Sequence, residues 1–279
     1  MKEKIKRLLE ARAPVLLDVY RSINNRRLFG LRFRSLHKRA LDQFFKGSHI
    51  EVLTGPFKGL KYFNSIVWGP ITPKWLGSYE CELHAIIEEI VVHKYEVIID
   101  VGCAEGYYAV GLAYRSPGSH VFAYDVDFIS RRQTRRLVRI NGLGRQVSVC
   151  RYCSSSDIER HVSRNTLVVC DIEGFERSLL DPASCPALSR IDILVEVHEW
   201  TWHPKTLDLL ISRFSATHDI QEIDATGRED WIQTAIKDSR LAAPGELLRE
   251  AVNEHRSNGR KWLWMKTKNR SNHETSVAN

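Results

Sequence analysis

One stretch constrains the fold of this chain more than any other. Val97-Ile-Ile-Asp-Val101 is a β-branched run interrupted by Asp100. Gly102 and Gly106 follow, and an apolar helical pattern then runs through Ala109, Leu112 and Ala113. That order predicts a strand, a tight glycine turn and a helix, the unit from which parallel α/β sheets are built. Such a turn brings a ligand against backbone N–H groups at a helix N-terminus. The spacing Gly102-x-x-x-Gly106 lacks the G-x-G-x-x-G fingerprint of dinucleotide binding, and the Gly-Lys-Ser/Thr ending of a phosphate loop is missing too.

The acid inside the strand narrows the choice of ligand. A carboxylate at Asp100 repels a pyrophosphate and suits a cation, and S-adenosylmethionine carries both a sulfonium and an ammonium. His120-Val-Phe-Ala-Tyr-Asp125 reads as the next strand. Its terminal carboxylate lies about 20 residues past the turn, where nucleotide-binding α/β units hold the ribose hydroxyls. Asp125 is therefore the ribose candidate, since Asp127 already enters a helix. The plainer alternative is that Asp125 caps that helix.

Hydrophobic residues make up 43% of the 279 and charged residues 27%, which suits a soluble globular chain with a sizeable core. No run approaches the ~18 apolar residues of a membrane span. The lysine-rich start leads into no apolar signal core, so a cytoplasmic location is expected. Six cysteines are too sparse for a disulfide scaffold, and Cys150-Arg-Tyr-Cys153 lacks the second pair a metal site would need.

The charge is uneven: residues 1–50 hold 13 Lys/Arg against 4 Asp/Glu, and the remainder holds 28 against 30. The expected plan is a basic N-terminal helical and hairpin extension over 1–75, a cofactor-binding domain over 76–268 and a polar tail over 269–279. Leu36, Ala40, Leu41, Phe44 and Phe45 fall near one helical face. A helical cap with a solvated basic side is favoured over an arm that docks on an anionic partner. Residues 51–63 carry a Thr54-Gly-Pro-Phe-Lys-Gly-Leu60 turn between two expected short strands. Arg131, Arg132, Arg135, Arg136 and Arg139 form a basic stripe on one helix, read as a solvated face.

Helical and strand patterns alternate from residue 80 onward. Helices are expected over 80–92, 128–140, 173–180 and 204–214, and strands over 146–152, 166–171, 191–198, 219–223 and 260–266. This implies a doubly wound, mainly parallel seven-stranded sheet, which binds ligands at the carboxyl ends of its strands. Two such ends carry clustered titratable groups: Asp171-Ile-Glu173-Gly-Phe-Glu176 and Glu196-Val-His198. Residues two apart on an extended chain share a face, so Asp171 pairs with Glu173 and Glu196 with His198. For transfer of a methyl group to an alcohol, the hydroxyl needs a general base or a metal. His198 is the favoured base, with Asp171, Glu173 and Glu196 around it. Mg²⁺ held by those carboxylates is the less favoured mode, and no metal ligands are assigned.

These segments together resemble the FkbM-type S-adenosylmethionine-dependent methyltransferases. The resemblance spans roughly Leu76 to Met265. It rests on Asp100-Val-Gly-Cys-Ala-Glu-Gly-Tyr107, Val121-Phe-Ala-Tyr-Asp125, the D-x-E-G-x-E segment from Asp171, and Glu196-Val-His198. Leu76-Gly-Ser-Tyr-Glu80 and Trp262-Leu-Trp-Met265 fit the same picture. It implies a class I methyltransferase, Rossmann-like fold and O-methylation of a sugar or natural-product hydroxyl. It also implies cofactor contacts at Glu80, Asp100, Gly102, Cys103, Ala104, Gly106, Tyr107, Asp125, Val126 and Asp171. Ala104 departs from the pattern, standing where many methyltransferases have glycine. An RNA ribose methyltransferase is the nearest rival, motivated by the N-terminal charge. A non-catalytic cofactor-binding module is the other.

Overall fold

A computed structural model describes residues 33–65, 69–163, 165–199, 205–255 and 260–268. Most of the basic N-terminal segment and the polar tail lie outside the described residues. Seven strands form one sheet: β1 (Val97–Val101), β2 (His120–Tyr124), β3 (Val147–Cys150), β4 (Thr166–Cys170), β5 (Asp192–Val197), β6 (His218–Asp224) and β7 (Lys261–Thr267). Their spatial order is β3-β2-β1-β4-β5-β7-β6. The first five run parallel, and β7 enters antiparallel between β5 and β6. This is the doubly wound, seven-stranded Rossmann-like arrangement expected from the alternating pattern.

The side chains of each strand sort onto two faces with period two. Ile98, Val121, Ala123, Leu167, Leu194 and Trp264 join one apolar cluster. Ile99, Tyr124, Val168, Ile193 and Leu263 join the other. The first face is covered by α2 (His84–His93), α3 (Tyr107–Arg115) and α4 (Phe128–Ile140), with α1 (Thr72–Leu76) beside them. The second is covered by α5 (Ser155–His161), α6 (Glu176–Leu179) and α7 (Thr206–Phe214). Two further helices, α8 (Glu229–Ala235) and α9 (Gly245–Ala251), occupy the charged connection before β7.

Three sequence expectations are corrected here. Residues 51–63 form one isolated bridge, Glu51↔Lys61, in place of two strands. The left-handed Gly55 and Gly59 turn the chain so that Phe57 and Leu60 enter the core. The helix expected from 173 starts at Glu176, because Glu173 (φ 53°) and Gly174 (φ 105°) form a left-handed turn first. Helix α5 falls where the sequence pattern shows only a connection; it starts with a capping box from Ser154 and Asp157. The N-terminal helical face packs as expected: Leu36, Ala40 and Phe45 are buried, the last edge-on against Trp75.

Candidate active site

Because β1, β2, β4 and β5 are parallel, the residues that follow them share one edge of the sheet. The glycine turn after β1 lies at the centre of that edge. Gly102 (φ 88°) and Gly106 (φ 94°) are both left-handed, a conformation that glycine adopts without a Cβ penalty. A Cβ on Gly102 would collide with the carbonyl oxygen of Asp171, so the turn lies directly against the end of β4. Ala104 is also left-handed, at φ 48°. The chain thus makes the glycine-type bend at the position where the sequence departs from glycine.

Neighbouring elements clamp the turn. Gly102 and Cys103 donate to the Tyr124 carbonyl at 2.9 and 3.0 Å. The Thr134 hydroxyl donates to the Ala104 carbonyl at 2.9 Å. Asp125 accepts from the N–H of Ala104 at 2.9 Å and from that of Asp127 at 2.7 Å. The carboxylate therefore joins the end of β2 to the turn. It does not cap α4; Asp127 does, accepting from Ile129 at 3.0 Å. Arg131, from the predicted basic stripe, donates to the carbonyls of Asp125 and Val126 at 2.8 Å. Val126 is 71% exposed on this rim, whereas the Tyr107 side chain is buried among Phe57, Tyr62, Tyr79 and Tyr108.

Two buried acids belong to the elements on either side of the turn, Asp100 in β1 and Glu80 against Tyr108 of α3. Asp100 is buried, with Oδ2 lacking a hydrogen-bond partner among the described residues. Burial, helped by the nearby charge of Asp171, pushes its pKa up to about 8. Glu80, left-handed at φ 47° and buried, receives the Tyr108 hydroxyl, and its N–H donates to Glu254 at 2.9 Å. Glu254 in turn receives Arg228. A buried Lys74–Glu105 ion pair, joined by the Tyr62 hydroxyl, supports the turn from the N-terminal segment.

The second half of the site surrounds His198. Its Nδ1–H donates to Glu176 Oε1 at 2.8 Å. Its Nε2 faces Asp171 Oδ1 at 3.7 Å, Glu173 Oε2 at 3.4 Å and Glu196 Oε2 at 3.5 Å. Glu196 and His198 share a face as the extended chain requires. Asp171 and Glu173 converge for a different reason, since the left-handed turn at Glu173 swings its carboxylate back toward the histidine. Burial raises the pKa of both Asp171 and Glu196. For His198, burial alone would lower it, but the Glu176 hydrogen bond and the Asp171 charge outweigh that and raise it. Arg260 contacts Glu196 at 3.3 Å.

The four expected catalytic residues, His198, Asp171, Glu173 and Glu196, therefore meet in one place, beside the turn. Glu176 and Arg260 are not singled out by the sequence reading. Glu176 has a signal, as the last acid of the D-x-E-G-x-E segment. Arg260 has none, because β7 inserts next to β5 only in the folded sheet. The six cysteines are unpaired, and burial pushes the Cys153 thiol up to about 12, which keeps it protonated.

No family model and no curated protein matches the chain. Among solved structures it is similar to a chain assigned as an rRNA-methylase from Clostridium thermocellum, at 11% identity and TM-score 0.45, over 67% of this chain and 95% of that one. It is similar to a precorrin-6y C5,15-methyltransferase from Geobacter metallireducens GS-15, at 9% identity and TM-score 0.42, over 65% and 87%. A METTL16 methyltransferase domain matches at 13% identity and TM-score 0.41, over 66% of both chains. At such scores, function has to be argued from the chemistry of the site. No helix among the described residues is long and apolar enough to cross a membrane.

Proposed function

We propose that this chain is an S-adenosylmethionine-dependent O-methyltransferase acting on a hydroxyl of a sugar or other small molecule, as the FkbM-type resemblance suggests. The observation that supports the reading is the contact of the Gly102 turn with the backbone of Asp171, which brings the turn against the His198 cluster. The residues fit the cofactor: two left-handed glycines bend the turn tightly against the end of β4, and the buried Asp100 carboxyl, protonated on its own with a pKa of about 8, would give up that proton beside a bound cation. Bound there, it would supply an electrophilic methyl group whose carbon–sulfur bonding electrons return to sulfur as the acceptor oxygen attacks.

The residues supply alignment and a place for the proton. Asp125 and the turn hold the nucleoside end. Asp171, where the resemblance places the methionine end, lies between the turn and His198. The acceptor hydroxyl docks at the cluster, and its proton passes to Nε2 of His198 or to the Glu173 carboxylate beside it. Calorimetry with S-adenosylhomocysteine and NAD⁺, followed by labelled-methyl transfer to a panel of hydroxyl compounds, tests this. Expected are binding of the first, none of the second, and label in an alkali-stable ether. NAD⁺ binding without S-adenosylhomocysteine binding would overturn it.

A further inference from the structure

The carboxylates around His198 outnumber the cations that face them among the described residues. Asp171, Glu173, Glu176 and Glu196 each place an oxygen within 3.7 Å of a ring nitrogen of His198. Arg260 adds one positive charge, at Glu196. With all four ionised, a protonated His198 still leaves four negative charges facing two described positive ones. The Glu176 and Glu196 side chains are 0% exposed, and Glu176 also accepts from the N–H groups of Ile172 and Gly174 at 3.2 and 3.1 Å.

The imidazole gives an independent sign. His198 is 7% exposed, and its Nε2 is buried with no hydrogen-bond partner among the described residues. Glu176 commits Nδ1 and fixes the ring, so Nε2 points into the gap between the carboxylates. An outer carboxylate that orients a histidine is the usual support of a metal-binding imidazole.

We propose that Asp171, Glu196 and His198 bind one divalent metal ion, with Glu176 as the positioning residue for the imidazole. One ligand atom from each of the three lies within 4.8 Å of the others. Metal–ligand bonds of about 2.1 Å place adjacent ligand atoms about 3 Å apart and opposite ones about 4.2 Å apart. The observed 3.5 and 3.7 Å from Nε2 to Glu196 and Asp171 fall in that range. Two carboxylate oxygens and one imidazole nitrogen, with further positions open, suit Mn²⁺, Fe²⁺ or Mg²⁺. The ion's use in activating the acceptor hydroxyl rests on the methyl-transfer reading; its binding does not. With the ion in place His198 is a ligand, and the hydroxyl proton passes to Glu173.

Titration of the chelator-stripped, full-length chain with Mn²⁺, with the free ion read by electron paramagnetic resonance, tests the proposal. The expected result is one Mn²⁺ per chain at sub-millimolar concentration. Affinity should fall about 10–100-fold in Glu176→Gln, where only the outer support changes. In Glu196→Gln and His198→Ala the saturable site should be lost. Asp125→Ala should bind Mn²⁺ like the unaltered chain. No saturable Mn²⁺ binding by the unaltered chain overturns the proposal even if a variant fails to fold. Equal binding by folded Glu196→Gln and His198→Ala overturns it as well. Failure of the methyl-transfer reading would show separately, as absent S-adenosylhomocysteine binding in a chain that still takes up Mn²⁺.

Discussion

Ala104 is a residue in the wrong conformation for its type. Its φ of 48° lies in the left-handed region, which costs a Cβ-bearing residue about 1–2 kcal/mol. Hydrogen bonds from Thr134 and to Asp125 hold it there. Ala104→Gly should raise unfolding stability by ~0.5–1 kcal/mol in urea titrations and leave S-adenosylhomocysteine affinity unchanged. No gain in stability would mean that the turn relaxes around the methyl group at no cost. Asp125 is expected from its spacing alone, and the structure adds that it also ties the turn to β2. Asp125→Ala should weaken cofactor binding by ~1.5–3 kcal/mol, the range for hydrogen bonds to a charged group. Affinity within twofold of the unaltered chain would move the ribose role elsewhere. His198 is equally visible in sequence as a titratable residue at a strand end. Its four carboxylate neighbours come from two strand ends, and only the Glu196 pairing follows from local spacing.

At the scale of elements, β1, the turn and α3 form a unit whose stability depends on pH. The Asp100 carboxyl, pushed up to about 8 by burial, keeps its proton in the folded chain, whereas the unfolded chain loses it near the usual 3.8. Below about pH 4 both states are protonated and the contribution is full. From there to about pH 8 the unfolded chain binds fewer protons, so stability falls as pH rises. Thermal unfolding should show this slope between pH 5 and 8, and Asp100→Asn should flatten part of it. A slope unaltered in that variant would assign it to other groups. On the far side of the unit, α3 receives the N-terminal segment through Gly111, where a Cβ would lie 2.7 Å from three atoms of the Phe57 ring. Alanine is the better helix former by about 1 kcal/mol. Overpacking a buried ring costs ~1–3 kcal/mol, so Gly111→Ala should be net destabilising in denaturant titrations. A more stable variant would show that Phe57 can withdraw.

At the scale of the whole molecule, the described part of the N-terminal extension belongs to the core. Phe33, Leu36, Ala40 and Phe45 join the cluster that contains Val110 of α3 and Leu167 of β4. Leu36→Ala should therefore cost ~2–5 kcal/mol, read as a lowered urea midpoint, and a loss under 1 kcal/mol would mark the segment as loosely attached. The β1 strand, the glycine turn, the helix behind it and the acids at the ends of β2, β4 and β5 are all legible in sequence. Each depends on periodicity or on a conformation open mainly to glycine, and both are local properties. The short helix α5 and the bridged loop at 51–63 are not legible, because so short a helix and an isolated bridge leave no period to read. Nor can the sequence place β7 between β5 and β6, which brings Arg260 to Glu196. Spacing along the chain determined which residue types stand at the strand ends. The spatial order of the strands decided which of those ends are neighbours. That order is set by packing two apolar faces at once, a property that no single segment carries.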